Sequence, residues 1–213
     1  MNFLRENISY LTSRGAGIEV APDPTLSELE RLAEQLELPI DALLLFNMVP
    51  SSLPWEQLRF VFLDVDGVLT EGGMFYTESG DEFKRFDTKD GMAIKHAIQH
   101  GIQFGIISSG VNEAIIRRRA DMFGIDRVYV GTAPKLEIAQ RWLREMGLEW
   151  SQIGYIGDDI NDLSMFDKSL IAACPSDATV PIKKAASFVL KAKGGHGCVR
   201  EFIRCFPQLN DVL

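Results

Sequence analysis

The fold of this chain is decided by the stretch Phe60-Val61-Phe62-Leu63-Asp64-Val65-Asp66-Gly67-Val68-Leu69-Thr70. Its first four residues form an apolar run of strand length, and the glycine after the second carboxylate indicates a turn. Successive side chains of a strand point to opposite faces, so Asp64 and Asp66 share one face if the strand continues. Two carboxylates aimed at one point repel each other unless a cation lies between them, and oxygen ligands suit Mg²⁺. The stretch therefore predicts a buried strand that delivers a pair of metal-binding carboxylates.

Strands and helices alternate along the chain after residue 58. The strand candidates are Phe60 to Asp64, Ile102 to Ile107, Arg127 to Val130, Ile153 to Ile156, Leu170 to Ala173 and Phe188 to Leu190. The helix candidates are Gly91 to Gln99, Asn112 to Phe123, Lys135 to Met146, Asp159 to Phe166, Ala178 to Ala186 and Val199 to Cys205. This alternation predicts an α/β fold with a Rossmann-like parallel sheet and helices on both faces. Ligands of such folds bind at the carboxyl ends of the strands.

The segment from Gly72 to Phe86 breaks this alternation and predicts a β-hairpin beside the end of the first strand. Between Asp64 and Ser108 there is room only for this hairpin and one helix. Between Ser108 and Lys135 there is room only for a helix and a strand. We therefore expect a domain with a small β-hairpin insert and no cap domain.

The first 50 residues predict a short α-helical extension. Thr25-Leu26-Ser27-Glu28 has the form of a capping box, and Pro39 opens a second short helix. We expect the extension to span residues 1–50, a Pro/Ser-containing linker to span 51–58, and the α/β domain to span 59–213.

The two helices predicted in this extension resemble the last two helices of repressor-type helix-turn-helix domains. A DNA-associated or regulatory subunit is therefore the competing class of function. However, residues 1–55 hold three arginines, no lysine and eight acidic residues, whereas DNA binding requires a basic face. We interpret the extension as a packing or oligomerisation element.

Composition excludes several classes of partner. The formal net charge of −8 argues against general affinity for nucleic acid or for an anionic membrane. Cys174, Cys198 and Cys205 are odd in number and lack Cys-x-x-Cys spacing, which indicates reduced thiols without a disulfide framework or a zinc site. We see no signal peptide and no apolar run long enough to cross a bilayer. These features predict a cytoplasmic protein.

Four polar clusters follow predicted strands. They are Asp64 with Asp66, the turn Ser108-Ser109-Gly110, Lys135, and the loop Gly157-Asp158-Asp159-Ile160-Asn161-Asp162. Each cluster alone has an ordinary explanation as a turn, a solvated lysine or a helix cap. Four clusters in this order, on successive strand–helix units, favour one active site at the edge of the sheet.

The set of side chains suits phosphoryl transfer. Hydrolysis of a phosphate monoester requires up to ~10²¹-fold acceleration, mostly through positioning and positive charge. Asp64 can act as the nucleophile and Asp66 as the acid that protonates the leaving alkoxide and later activates water. Mg²⁺ on Asp64 and Asp158, together with Lys135 and Ser108, can hold the phosphoryl oxygens.

These residues resemble the four motifs of the haloacid dehalogenase superfamily, from residue 59 to the C-terminus. A closer resemblance, to the 3-deoxy-D-manno-octulosonate 8-phosphate phosphatases and their relatives, is carried by residues 64–70, 86–92 and 194–201. It implies a Mg²⁺-dependent sugar-phosphate phosphatase of lipopolysaccharide biosynthesis. Phosphatases of nine-carbon acid sugars, of the acylneuraminate or deaminated neuraminate type, are the alternative.

The resemblance also implies roles for individual residues. Asp64 is the nucleophile, Asp66 the acid/base, and the metal ligands are Asp64, the Asp66 carbonyl and Asp158, supported by Asp159 and Asp162. The implied substrate-binding residues are Thr70, Lys89, Asp90, Gly91, Ser109, Gly110 and Arg200. It further implies a homotetramer in which hairpins associate and the glycine-rich segment 194–201 reaches a neighbouring site.

The second motif departs from the family pattern. The family has Ser/Thr-Gly-Arg, whereas this chain has Ser108-Ser109-Gly110-Val111. The register of the strand favours Ser108 as the phosphate ligand, and alignment of the following helix favours Ser109. An insertion of one residue explains both observations, and both serines stay candidates. A catalytically dead subunit is the non-enzyme alternative, although a mere binder has no need of Asp66.

Overall fold

The computed structural model describes residues 4–13, 18, 20, 21, 24–36, 40–45 and 53–209. The chain divides into two compact units, residues 1–53 and 54–213. Residues 51 and 52 of the predicted linker lie outside the described residues, and so do 46–50 and 210–213. The domain boundaries expected from the sequence stay a prediction.

The N-terminal unit contains helices α1 (Leu4–Ser13), α2 (Leu26–Gln35) and α3 (Ile40–Leu45). The predicted capping box is present: the Thr25 side chain accepts a hydrogen bond from the Glu28 amide, and the Glu28 carboxylate accepts one from the Thr25 amide at 2.7 Å. The apolar core of this unit comes from all three helices and contains Leu4, Leu29, Leu32, Ala33 and Leu43. Asn7 is also buried, and its side-chain amide donates a hydrogen bond to the Leu43 carbonyl at 3.0 Å. Sequence reasoning did not anticipate α1.

The second unit alternates strands and helices. Its strands are β1 (Phe60–Leu63), β2 (Phe75–Tyr76), β3 (Glu82–Phe83), β4 (Gln103–Ser108), β5 (Arg127–Val130), β6 (Ile153–Ile156), β7 (Ile171–Cys174) and β8 (Phe188–Val189). Its helices are α4 (Thr88–Gln99), α5 (Glu113–Phe123), α6 (Lys135–Met146), α7 (Leu163–Phe166), α8 (Val180–Ala185) and α9 (Cys198–Arg204). Among the described residues, none of the helices combines the length and apolar character that crossing a bilayer requires.

Within residues 53–209, six parallel strands form one sheet in the order β5-β4-β1-β6-β7-β8. Strand β1 is buried on both faces, as expected for a central strand of a parallel sheet. Phe60 and Phe62 pack into a cluster with residues of α6, α7 and α8, whereas Val61 lies on the side of α9. Helices therefore cover both faces, which confirms the predicted α/β class.

Helix α4 begins three residues earlier than the sequence pattern indicated. The side chain of Asp87 accepts a hydrogen bond from the Lys89 amide at 2.7 Å and caps the helix, so the first turn precedes Gly91. The predicted helix from Asp159 is instead a short 3₁₀ turn followed by α7.

The hairpin lies between β1 and α4. Strands β2 and β3 are antiparallel, and the Thr77 hydroxyl accepts a hydrogen bond from the Asp81 amide at 3.0 Å in the connecting turn. Most of its large apolar side chains are exposed: Met74, Phe75, Tyr76 and Phe83. Between β1 and β4 the chain forms only this hairpin and α4, so residues 53–209 contain no cap domain.

Candidate active site

The carboxyl ends of β1, β4 and β6 meet at one edge of the sheet, because β1 lies between the other two strands. The loops that follow these strands surround a cavity of about 320 Å³. The cavity is lined by Asp64, Asp66, Gly72, Met74, Ser108, Ser109, Gly110, Asp158, Asp159 and Asn161. Three of the four polar clusters found in the sequence therefore line one cavity.

The turn after β1 brings the two aspartates to the cavity by a different path from the one expected. The strand ends at Leu63, and Asp66 lies within the turn Val65–Leu69, not on a continued strand. Gly67 adopts a φ of +88° there, and a Cβ atom at this position would collide with the Asp158 carboxylate. Glycine is thus required both for the backbone of the turn and for the approach of Asp158.

Lys135 forms the buried centre of an ionic network below the cavity. Its ammonium lies 2.8 Å from Asp64 Oδ1 and 2.6 Å from Asp162 Oδ1. The Tyr155 hydroxyl donates to the same Asp162 oxygen at 2.5 Å. Sequence reasoning missed Tyr155, because an aromatic residue inside a buried strand reads as core.

Asp162 organises the loop that carries the other acidic residues. Its Oδ2 atom accepts hydrogen bonds from the amides of Asp158 and Asp159, at 2.8 and 3.2 Å. Since Lys135 and Tyr155 use its Oδ1 atom, both oxygens of Asp162 are already engaged. Asp159 is exposed, and its carboxylate accepts a hydrogen bond from the Ile160 amide at 2.7 Å. Asp162 therefore influences the site by holding Lys135 and the backbone of Asp158 and Asp159 in position.

The acidic groups of the site repel one another. Oxygens of Asp64, Asp158 and Asp162 lie within 4.8 Å of each other. Burial raises the pKa of Asp64 to about 6 despite the nearby Lys135, and burial with repulsion from Asp64 raises the pKa of Asp158 to about 8. Burial lowers the pKa of Lys135, but the surrounding carboxylates more than offset this and raise it overall. One ammonium does not balance three clustered carboxylates, so this set of hard oxygen donors fits a divalent cation.

Asp66 is held from the hairpin by a lysine that sequence reasoning also missed. The Lys84 ammonium lies 2.6 Å from Asp66 Oδ1 and 2.9 Å from Glu82 Oε1. The Thr70 hydroxyl is within hydrogen-bonding distance of the same Asp66 oxygen, at 3.2 Å. Lys84 reads as a solvated strand residue in the sequence, and no local signal indicates its pairing with Asp66.

The two serines of the second motif differ in environment. Ser108 is buried at the end of β4, and its hydroxyl accepts a hydrogen bond from the Gly110 amide at 3.1 Å. Ser109 is exposed and accepts a hydrogen bond from the Asn161 side chain at 3.3 Å. Both line the cavity, whereas Val111, which stands where the family has arginine, is 97% exposed.

Five of the predicted substrate-binding residues lie outside the lining of the cavity. Asp90 and Gly91 are buried in α4, where Asp90 Oδ1 accepts a hydrogen bond from the Arg200 amide at 2.7 Å. Lys89 is exposed on the first turn of the same helix. Thr70 is buried behind Asp66. These positions give Asp90 and Thr70 structural contacts within the chain.

The glycine-rich segment Gly194–Gly197 packs against its own chain. The Gly195 amide donates to the Val68 carbonyl at 2.8 Å, and a Cβ atom on Gly194 would collide with the Gly67 carbonyl. The helix that follows, α9, buries Val199 and Phe202 in the core. These contacts hold the segment beside the β1 turn of the same chain, and the expectation that it reaches a neighbouring site stays a prediction.

Asp90 makes stability depend on pH. Burial raises the pKa of its carboxyl group to about 6 from an ordinary 3.8, although amides at the start of α9 act in the opposite direction. The folded protein therefore binds this proton more tightly than the unfolded chain, and stability falls as the pH rises between these two values. Asp90→Asn keeps an acceptor for the Arg200 amide but carries no charge. We expect its free energy of unfolding, relative to wild type, to rise by about 3 kcal/mol between about pH 4 and pH 7. Urea titrations at several pH values measure this difference, and a constant difference contradicts the assignment.

Comparison with known proteins agrees with this geometry. A family model described as haloacid dehalogenase-like hydrolase matches residues 119–202. The 3-deoxy-D-manno-octulosonate 8-phosphate phosphatase KdsC of Haemophilus influenzae is 36% identical over 146 residues, which cover 68% of this chain and 81% of that protein. KdsC of Escherichia coli K12 is 32% identical over 146 residues, which cover 68% of this chain and 77% of that protein.

Solved structures show the same similarity. A probable YrbI family phosphatase from Pseudomonas syringae superposes with a TM-score of 0.72 at 32% identity, covering 76% of this chain and 90% of that one. The 3-deoxy-D-manno-octulosonate 8-phosphate phosphatase of Moraxella catarrhalis, solved with magnesium, phosphate and KDO, has a TM-score of 0.72 at 27% identity, with coverage of 78% and 95%. The similarity to these relatives agrees with the parallel sheet and with the carboxylates at its edge. The chain therefore belongs to the haloacid dehalogenase-like hydrolases, in the family of the 3-deoxy-D-manno-octulosonate 8-phosphate phosphatases.

Proposed function

We propose that this chain hydrolyses 3-deoxy-D-manno-octulosonate 8-phosphate through an aspartyl-phosphate on Asp64, with Mg²⁺ as cofactor. One observation carries this proposal: Asp64, Asp66, Ser108 and Asp158 line a single cavity, with the Lys135 ammonium 2.8 Å from Asp64. The names of the relatives support the eight-carbon substrate over the nine-carbon alternative.

In the first half of the reaction, an Asp64 oxygen attacks phosphorus and the bond to the sugar oxygen breaks. Asp66 gives its proton to the departing alkoxide, which is a poor leaving group without that proton. Lys135 and the Ser108 hydroxyl bind the phosphoryl oxygens as charge develops on them. Of the two serines, we favour Ser108, because it is buried at the strand end beside Asp64.

In the second half, Asp66 accepts a proton from water as the water oxygen attacks phosphorus. The acyl-phosphate bond breaks, inorganic phosphate is released, and the Asp64 carboxylate is regenerated. The same residue thus serves as acid and then as base. Asp162 and Tyr155 take no part in bond changes; they hold Lys135 and the acidic loop in position.

Asp64, Asp158 and the Asp66 carbonyl would hold Mg²⁺, which would neutralise the approaching phosphate and the clustered carboxylates. Asp159 and Asp162 would support these ligands. Asp64 and Asp158 line the cavity, whereas Asp162 does not line it and already uses both of its oxygens.

The proposed metal site predicts a response in stability. Mg²⁺ should raise the melting temperature of the wild type, with about 2.7 kcal/mol of stabilisation at ~100 times the dissociation constant. Asp158→Asn should remove this response and, by relieving repulsion from Asp64, should stabilise the metal-free protein. Thermal unfolding with and without Mg²⁺ measures both effects, and Asp167→Asn, on an exposed helix end, is the control. A full response in Asp158→Asn would contradict the assignment.

A panel of phosphate monoesters tests the proposed substrate. We expect kcat/KM to be highest for 3-deoxy-D-manno-octulosonate 8-phosphate, followed by nine-carbon sugar-acid phosphates. A preference by orders of magnitude for a nucleotide or a phosphopeptide would overturn the substrate assignment. Absence of turnover on every ester, with Mg²⁺ present, would instead favour a non-enzymatic subunit.

We also propose a homotetramer assembled through the hairpin. Its side chains Phe75, Tyr76 and Phe83 are between 56% and 62% exposed, and their burial between chains would remove apolar surface from water. The association would also enclose a site that has no cap domain within residues 53–209. Light scattering should therefore give the mass of four chains, and an active monomer would contradict this arrangement.

A further inference from the structure

Lys84 is a buried cation beside the proposed acid/base. Its side chain is only 2% exposed, and its ammonium contacts Asp66 and Glu82 at 2.6 and 2.9 Å. The neighbouring Arg85 differs sharply: its side chain is 53% exposed, and its ion pair with Glu71 spans 3.6 Å. An exposed pair of that kind contributes little, whereas a buried ammonium is stable only with its carboxylate partners in place.

The contacts of Asp66 are divided between its two oxygens. Lys84 and Thr70 both lie at Oδ1, at 2.6 and 3.2 Å. The Oδ2 atom faces the loop after β4, since a Cβ atom on Gly110 would lie 3.8 Å from it and 3.2 Å from Ser108 Oγ. One oxygen is therefore fixed from the hairpin side while the other is directed toward the cavity.

We propose that Lys84 is a positioning residue for Asp66: it fixes Oδ1 so that Oδ2 faces the leaving-group oxygen. This inference rests on the proposed function. Glu82 ties the ammonium to strand β3, so Lys84 transmits the position of the hairpin to the reacting group. The hairpin is then part of the catalytic machinery as well as a surface for assembly.

The test compares two esters that differ in their need for a proton. The sugar phosphate releases an alkoxide that needs general acid catalysis, whereas p-nitrophenyl phosphate releases a stable phenolate. We compare kcat/KM, because it reports only the steps up to phosphoryl transfer to Asp64. Lys84→Met should lower kcat/KM for the sugar phosphate by about 10²-fold, the usual contribution of general acid catalysis, and for the aryl phosphate only a few-fold.

Three further variants make this comparison specific. Asp66→Asn should also lower kcat/KM selectively for the sugar phosphate, and by a larger factor than Lys84→Met. Lys84→Arg should recover part of the lost activity, since it keeps the charge with a different geometry, and it replaces Lys84→Met as the test if that variant fails to fold. Lys95→Met, which removes an exposed lysine from α4, should behave as wild type.

The outcomes distinguish a failure of the positioning role from a failure of the proposed function. A selective loss shared by Lys84→Met and Asp66→Asn supports the positioning role. An equal loss on both esters, or no loss, overturns it, provided that Asp66→Asn remains selective. If the wild type hydrolyses neither ester, the proposed function itself fails.

Discussion

Asp64→Asn is expected to lower phosphatase turnover by on the order of 10⁴-fold or more, because an amide cannot attack phosphorus and no aspartyl-phosphate forms. The variant should nevertheless fold. The amide has nearly the same size, and Lys135 keeps its 2.6 Å contact with Asp162. Burial raises the pKa of Asp64 to about 6, so loss of this charge should not destabilise the protein.

Steady-state rates with Mg²⁺, together with trapping of the phosphorylated enzyme, measure this effect. The matched control is Asp167→Asn, which changes an exposed aspartate at the end of α7 and should retain full activity. Wild-type turnover in Asp64→Asn would assign the nucleophile to another residue.

Lys135→Met is expected to impair both stability and catalysis. The ammonium is buried between Asp64 and Asp162, at 2.8 and 2.6 Å, and its removal leaves two carboxylates without their cation. Breaking a buried ion pair by removing one partner typically destabilises a protein by about 3–5 kcal/mol. Loss of the charge that we propose binds the phosphoryl oxygens should also reduce kcat by roughly 10²–10³-fold.

Urea unfolding and steady-state kinetics separate these two effects. Lys95→Met, which removes an exposed lysine from α4, is the control and should change neither quantity. Lys135→Met combined with Asp162→Asn should be less destabilised than the sum of the single variants, because the second change removes one of the stranded charges. Strict additivity would contradict the coupling that these distances indicate.

The sheet was the part of the fold that local sequence predicted best. The predicted bounds of β5 and β6 match the structure, and so do those of α6. The buried strands are short apolar runs because both faces of a parallel sheet are covered. The start of α4 was harder to predict from the sequence, because the hydrogen bond to the Asp87 side chain fixes it. The residues up to Phe86 were predicted to belong to the hairpin.

The residues of the candidate site likewise fall into those that the sequence could predict and those that it could not. Asp64, Ser108 and the loop from Asp158 could be placed together because the ends of adjacent parallel strands meet at one edge. Lys84 could not, since it reaches Asp66 only through the path of the hairpin. Tyr155 was hidden for a related reason: its hydroxyl partner, Asp162, lies on a loop that turns back over the strand.

The sequence by itself determined the order of strands and helices, the residues at the strand ends and the chemistry that those residues can perform. Periodicity and composition are local properties, so they can be determined without knowledge of the folded chain. Only the tertiary structure decided that Lys135 joins Asp64 to Asp162, that Lys84 holds Asp66, and that Gly194–Gly197 packs on the chain's own β1 turn. Each of these contacts joins segments that are distant in sequence, and their approach depends on the packing of the whole domain and not on any local pattern.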